Sequence, residues 1–153
     1  MNKQYLELTR LIERLHRRFI DVLKTELNRL GVRDVNGVQA LLLPNIGGQK
    51  ITIRDLVERG YYLGSNVSYH IKKLTDLGYL NQEPTPQDKR SVTISLTEKA
   101  LAIVHGMRDL QNNNADAFTR SGADLEKVEE ICKGLRSLER TWADYINYGV
   151  EVV

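Results

Sequence analysis

The residues best suited to chemistry lie in the run Ser65-Asn66-Val67-Ser68-Tyr69-His70-Ile71-Lys72-Lys73-Leu74. At about 100° per residue, Val67, Ile71, Leu74, His70 and Leu77 gather in one stripe on one side of a helix, which is expected to be buried. Ser65, Ser68, Tyr69, Lys72 and Asp76 fall opposite, flanked by Asn66 and Lys73. Short polar side chains at a helix N-terminus can approach base edges in a major groove. Lysines and the helix N-terminus itself meet phosphates. The chemistry on offer is therefore recognition of a polyanion. A plain amphipathic helix with a solvated face gives the same pattern, so the surrounding elements must decide.

Bond-making chemistry has no support. No GxSxG, GxGxxG, P-loop or HExxH motif occurs, and no His/Cys cluster has metal-ligand spacing. An enzyme, a metal site and a resident cofactor are not expected. Cys132 stands alone, which excludes an internal disulfide. A redox sensor needs exposure and a lowered thiol pKa, whereas Cys132 sits on an apolar stripe, so a structural role is expected. His70 falls on the buried stripe and reads as a packing residue.

Two elements position the polar face. Upstream, Thr52 and Asp55 form a capping-box variant that starts a helix ending at Gly60. Tyr61-Tyr62-Leu63-Gly64 makes a short turn, Ser65 caps the second helix, and Gly78 stops it near Leu77. Two short helices joined by a turn are a helix-turn-helix. Downstream, Tyr79–Glu83 and Ser91–Leu96 read as strands, the second with Val92, Ile94 and Leu96 alternating. Between them Pro84-Thr85-Pro86-Gln87-Asp88-Lys89-Arg90 is expected to be a long, proline-stiffened loop. A helix-turn-helix followed by such a hairpin is a winged helix. Lys89 and Arg90 would stand at the wing tip, where an arginine can enter a narrow minor groove. Asp88 would repel DNA if free, so an ion pair with Arg90 is expected. Arg54, on the first of the two helices, completes the set of cations expected to face DNA.

Charge supports this arrangement only when divided. The 153 residues carry 22 Lys+Arg and 20 Asp+Glu, a net of +2. Residues 1–33 are net +4, 34–52 neutral, 53–90 net +1 and 91–153 net −3. A basic front and an acidic back hint at a polyanion partner. The length suits one domain that buries about two-thirds of its unfolded surface. The longest clean apolar run, Ala40–Leu43, is far short of the ~20 residues that cross a bilayer. Residues 1–10 lack an apolar signal-peptide region. A cytoplasmic protein is expected.

The ends of the chain read as long helices. Leu8, Ile12, Leu15, Phe19, Val22, Leu23, Leu27 and Leu30 recur at steps of three and four, and Gly31 follows as a stop. A second helix is expected over Val35–Leu43, capped by Asp34 and stopped by Pro44, with Asn45–Gly48 a loop. Thr97 caps a helix to about Thr119. Asp124 caps the last, whose stripe runs Leu125, Val128, Ile131, Cys132, Leu135, Leu138, Trp142, Tyr145 and Ile146. A middle of about 60 residues cannot cover both stripes, so a homodimer built from the two ends is expected, against a monomeric bundle. The fold class is thus mainly α with a small β-hairpin. The expected division is a dimerising helix (1–33), a winged helix-turn-helix (34–96) and dimerising helices (97–153), in one compact chain.

The run from Gly78-Tyr79-Leu80 through Pro84, Asp88-Lys89-Arg90 and the alternating apolar residues to Leu96-Thr97 resembles the wing signature of MarR-family transcriptional regulators. Ser65–Leu74 is similar to the family's recognition helix, and the order of elements matches throughout. The run Leu63–Leu74 is also similar to an alphaproteobacterial branch that contains a regulator of an L,D-transpeptidase. Two places depart: Asn81-Gln82-Glu83 stands where an arginine pair is common, and Ala100 where glycine is. The resemblance implies an obligate homodimer on a pseudo-palindrome with half-sites ~34–36 Å apart. It also implies a regulator, usually a repressor although some members activate, that in many cases releases DNA when a small aromatic or acidic effector enters a cleft between dimer helices and winged domain. His16 and Phe19 are the candidates to border that cleft. The rival class is a winged-helix adaptor that binds proteins without reading DNA.

Overall fold

Helix α1 (Asn2–Arg29) ends because Gly31 adopts φ +74°, a left-handed turn that a side chain would strain. Val32 N–H then reaches back to Leu27 O, and Gly31 N–H to Asn28 O, closing the orphan carbonyls. The structure is a computed structural model, and it describes residues 1–60 and 64–149, apart from the side chains of Ser65 and Lys89. The remaining elements are α2 (Gly37–Ile46), β1 (Ile51–Thr52), α3 (Ile53–Gly60), α4 (Gly64–Asp76), β2 (Leu80–Thr85), β3 (Asp88–Leu96), α5 (Glu98–Arg120) and α6 (Leu125–Tyr148).

The start of α2 differs from expectation. Asn36, not Asp34, is the cap: its side chain accepts from Gln39 N–H at 2.8 Å, and Gln39 Oε1 accepts from Asn36 N–H at 3.0 Å. Asp34 is held elsewhere, by Tyr79. Pro44 also fails to stop the helix, which runs on to Ile46. A proline inside a helix costs about 3 kcal/mol. Leu42, Leu43 and Ile46, all fully buried, offset that loss at about 1.5–3 kcal/mol per side chain.

The three-stranded antiparallel sheet has the order β1-β3-β2. Ile51 faces Ile94 across β1 and β3, and Leu80 faces Leu96 across β2 and β3. The long loop expected over Pro84–Arg90 is absent. Both strands extend, and only Pro86-Gln87 connects them. The reason is a bulge between Pro84 and Thr85. A proline has no N–H to give to the ladder and is tolerated at such a break.

The chain forms two compact units, 1–110 and 111–153. The winged-helix core takes Leu23 and Leu27 from α1 and Ala100, Ile103 and Met107 from α5, around Leu43, Leu56, Ile71, Leu74 and Ile94. The base of α1 and the first half of α5 are therefore part of the same core as α3 and α4. Gly37 shows how closely α1 and α2 meet: a Cβ there would stand 3.0 Å from Ile20 O. In the second unit Asp124 caps α6, accepting from Lys127 N–H at 2.9 Å. Leu138 is buried there, but Leu125, Ile131, Leu135, Tyr145 and Ile146 are exposed. Leu8, Leu11, Leu15 and Phe19 on α1 are exposed too. Among the described residues no helix is long and apolar enough to cross a membrane.

Candidate nucleic-acid interface

Helix α3 starts as its sequence suggests. Thr52 Oγ1 accepts from Asp55 N–H at 3.0 Å, and Asp55 Oδ2 accepts from Thr52 N–H at 3.2 Å. The Thr52 contacts hold the Asp55 carboxyl below its ordinary pKa. Of the turn expected over Tyr61–Gly64, residues 61–63 lie outside the described residues. Gly64 already belongs to α4, so Ser65 stands inside the helix rather than before it.

Helix α4 sorts into two faces. Val67, Ile71 and Leu74 are buried, at no more than 1% exposure, and seat it on the core. Asn66, Ser68, Lys72 and Lys73 are exposed, and Tyr69 is 62% exposed. Tyr69 meets the neighbouring His70 ring edge-on at 5.3 Å. His70 is half-buried and its Nδ1 has no partner among the described residues. The polar face is thus rigidly backed and free to meet a ligand.

The C-terminal end of α4 is clamped from three directions. Gly78 takes φ +81°, and Tyr79 N–H returns to Leu74 O at 2.9 Å. Thr97 Oγ1, at the start of α5, donates to Gly78 O at 2.7 Å. Lys99 Nζ donates to Leu77 O at 2.8 Å and lies 4.2 Å from the centre of the Tyr79 ring. The Tyr79 hydroxyl donates to Asp34 Oδ1 at 2.6 Å, and Lys99 stands 3.7 Å from Asp34 Oδ2. That hydroxyl bond holds the Asp34 carboxyl below its ordinary pKa, and burial pushes the Tyr79 phenol well up. No local spacing announces this cluster, because Asp34 and Tyr79 are 45 residues apart.

On the wing, Arg90 is exposed on β3, and the Lys89 side chain lies outside the described residues. The ion pair expected between Asp88 and Arg90 is not formed. Asp88 Oδ1 instead accepts the Arg90 main-chain N–H at 2.9 Å. An aspartate two residues before an amide folds back onto it more readily than it reaches a long side chain. Arg54 is exposed on α3 and pairs with Glu58 one turn on, at 3.2 Å. The unusual Asn81-Gln82-Glu83 segment braces the wing. Gln82 Nε2 donates to Thr75 Oγ1 at 2.8 Å, and Glu83 pairs with Lys50.

The remaining candidates do not converge. His16 and Phe19 lie on the exposed part of α1. Cys132 is half-buried in α6. No group of three His, Cys, Asp or Glu that could hold a metal occurs among the described residues.

A helix-turn-helix with a β-wing and an exposed, partly cationic second helix defines a duplex-reading protein. Residues 35–100 match the family model described as a winged helix DNA-binding domain. The exopolysaccharide II synthesis transcriptional activator ExpG of Rhizobium meliloti is 36% identical over 146 residues, which span 95% of this chain and 75% of that protein. A cysteine-to-serine variant of MarR from Escherichia coli, complexed with operator DNA, superposes with TM-score 0.73 at 20% identity, over 88% of this chain and 95% of that one. Bordetella bronchiseptica BpsR, described in terms of regulation of its DNA binding by 6-hydroxynicotinic acid, does so with TM-score 0.69 at 19% identity, over 87% and 98%. The chain belongs to the MarR-type winged helix-turn-helix transcriptional regulators. It is a DNA-binding regulator, and its family is not one of enzymes.

Proposed function

We propose that the chain reads a pseudo-palindromic DNA operator as a cytoplasmic homodimer and that a small organic acid modulates this binding. The observation that carries the DNA half is the face of α4, where Asn66, Ser68, Tyr69, Lys72 and Lys73 are exposed while Val67, Ile71 and Leu74 lock the helix. In this reading α4 enters the major groove with Ser65, Asn66, Ser68 and Tyr69 at base edges. Lys72, Lys73 and Arg54 meet phosphates, and Lys89 and Arg90 follow the adjacent minor groove.

The dimer is supported by the two apolar stripes. A 43-residue unit with Leu138 buried and seven other large apolar side chains of α6 exposed has too small a core to stand alone. A second copy supplies the complementary surface, as two-fold interfaces do. The resemblance favours repression, while ExpG is named an activator. A promoter fusion assayed with and without the protein assigns the sign.

The test of the DNA reading is fluorescence anisotropy with duplexes over a range of salt. Neutralised phosphates make log K fall with log salt at a slope of about −0.9 per contact. Binding that ignores salt, or no binding, would favour the adaptor instead.

A further inference from the structure

No packed core fixes the outer part of the wing. Among the described residues, no side chain from Asn81 to Thr93 is buried. A two-stranded ribbon is marginal on its own, so the direction in which the wing points is set where it is rooted. Leu80 and Ile94 form that root, at 2% and 0% exposure. Arg90 stands four residues from Ile94 on β3, about 13 Å along the strand. A tilt of about 10° at the root then moves Arg90 by about 2 Å, more than a binding constellation tolerates.

Gln82 is placed at that root. It stands opposite Ile94 across β2 and β3, and the strand period of two puts its side chain on the same face as Leu80. From there its Nε2 donates to Thr75 Oγ1, in the last turn of α4, at 2.8 Å. Thr75 is half-buried. At about 100° per residue it falls between Ile71 and Lys72, on the side of the helix that carries Ser68. Its hydroxyl donates in turn to Ile71 O at 2.8 Å, which fixes the rotor and leaves the oxygen to accept from Gln82. Ile71 is 1% exposed. The link thus runs from the wing root, through one hydroxyl, to a buried anchor of the reading helix. On the opposite face of β2 Glu83 pairs with Lys50, but both are more than half exposed, and such a pair carries little.

We propose that Gln82 is a positioning residue for duplex reading: acting through Thr75, it sets the angle of the wing to α4, and so the distance between the major-groove contacts of α4 and the minor-groove contact of Arg90. Gln82 itself touches no DNA. The proposal rests on the DNA reading above. Preference for the base pairs flanking each half-site, which an arginine reads through groove width, then depends on two residues that meet no base.

The test is fluorescence anisotropy of the full chain on a duplex that the wild type selects from a randomised pool, and on the same duplex with its flanking A·T and G·C pairs exchanged. Gln82→Met keeps the length of the side chain and removes the donor; Thr75→Val keeps the shape and removes the hydroxyl. Each is expected to lower affinity about three- to tenfold. The double variant is expected to lose no more than either alone, because a single link is broken. Thr75→Ser keeps the hydroxyl and is expected to bind like the wild type. Arg90→Ala, and the flank exchange, are each expected to cost the wild type more than they cost Gln82→Met, while base preference under α4 stays unchanged. Urea midpoints of Gln82→Met and Thr75→Ser are expected to stay near that of the wild type, which separates positioning from unfolding. Three results would overturn the proposal and leave the DNA reading intact: additive losses in the double variant, an equal cost of Arg90→Ala in both backgrounds, or a loss in Gln82→Met that Thr75→Val does not reproduce. The last would make Gln82 a direct DNA contact. A wild type that selects no duplex overturns the DNA reading, and the proposal with it.

Discussion

The Tyr79 hydroxyl donates to Asp34 Oδ1 at 2.6 Å, tying the turn after α4 to the loop after α1. The two residues stand outside every DNA-facing position, yet with Lys99 they fix where the end of α4 lies. The ring of Tyr79 is buried, and Lys99 covers it while holding Leu77 O. The angle at which α4 is presented is thus set by side chains from the loop, the turn and α5.

Tyr79→Phe keeps the buried ring and removes the hydroxyl bond. A hydrogen bond to a charged group is worth about 1.5–3 kcal/mol when buried, and Asp34 is partly exposed, so a loss of about 1 kcal/mol is expected. Urea denaturation monitored by circular dichroism checks this. A variant as stable as the wild type would show that the bond contributes nothing net.

The same bond gives stability a pH dependence. The Asp34 carboxyl is held below its ordinary value of 3.8 by the Tyr79 hydroxyl. A lowered folded pKa contributes stability that is present above the unfolded value and is lost as pH falls through the folded one. Stability should therefore drop on the acid side of pH 3.8, and less steeply in Asp34→Asn. Denaturation midpoints taken between neutral and acid pH provide the check; parallel curves would contradict it.

Lys72→Ala and Arg90→Ala should each weaken duplex binding without unfolding the chain, since both side chains are exposed and unpaired with core groups. Each should reduce the salt slope by about 0.9. Ser68→Ala and Tyr69→Ala should instead alter sequence preference, at about 1–3 kcal/mol per lost base contact. Anisotropy titrations with several duplexes at several salt concentrations separate the two behaviours.

The apolar stripes predict the oligomeric state. Leu15 is 55% exposed on α1 and Ile131 is 52% exposed on α6. Leu15→Glu or Ile131→Glu should shift the chain from dimer to monomer in sedimentation velocity and weaken operator binding. An unchanged dimer in both variants would place the interface elsewhere.

The parts of the fold that were legible in the sequence are those governed by local periodicity and caps. Val67, Ile71 and Leu74 declared the buried side of α4, and Thr52 with Asp55 declared the start of α3. Errors arose where tertiary contacts override local signals. Asp34 is a good cap by type, but Tyr79 claims it and Asn36 caps instead. Pro44 should break a helix, but burial of Ile46 carries the helix past it. An ion pair is expected between Asp88 and Arg90, yet Asp88 Oδ1 accepts the Arg90 main-chain N–H instead. Gln39 was invisible as a buried polar residue, because only the folded chain shows that its Nε2 is buried without a hydrogen-bond partner among the described residues.

The central claim is that a two-fold dimer reads duplex sequence through α4. Selection of bound duplexes from a randomised pool by the purified full chain tests it most directly. Enrichment of two inverted half-sites whose centres lie about one helical turn, ~34–36 Å, apart is expected, with the preferred bases changed by Tyr69→Ala. A pool that stays random through selection, or a single unpaired site indifferent to Tyr69→Ala, would contradict it.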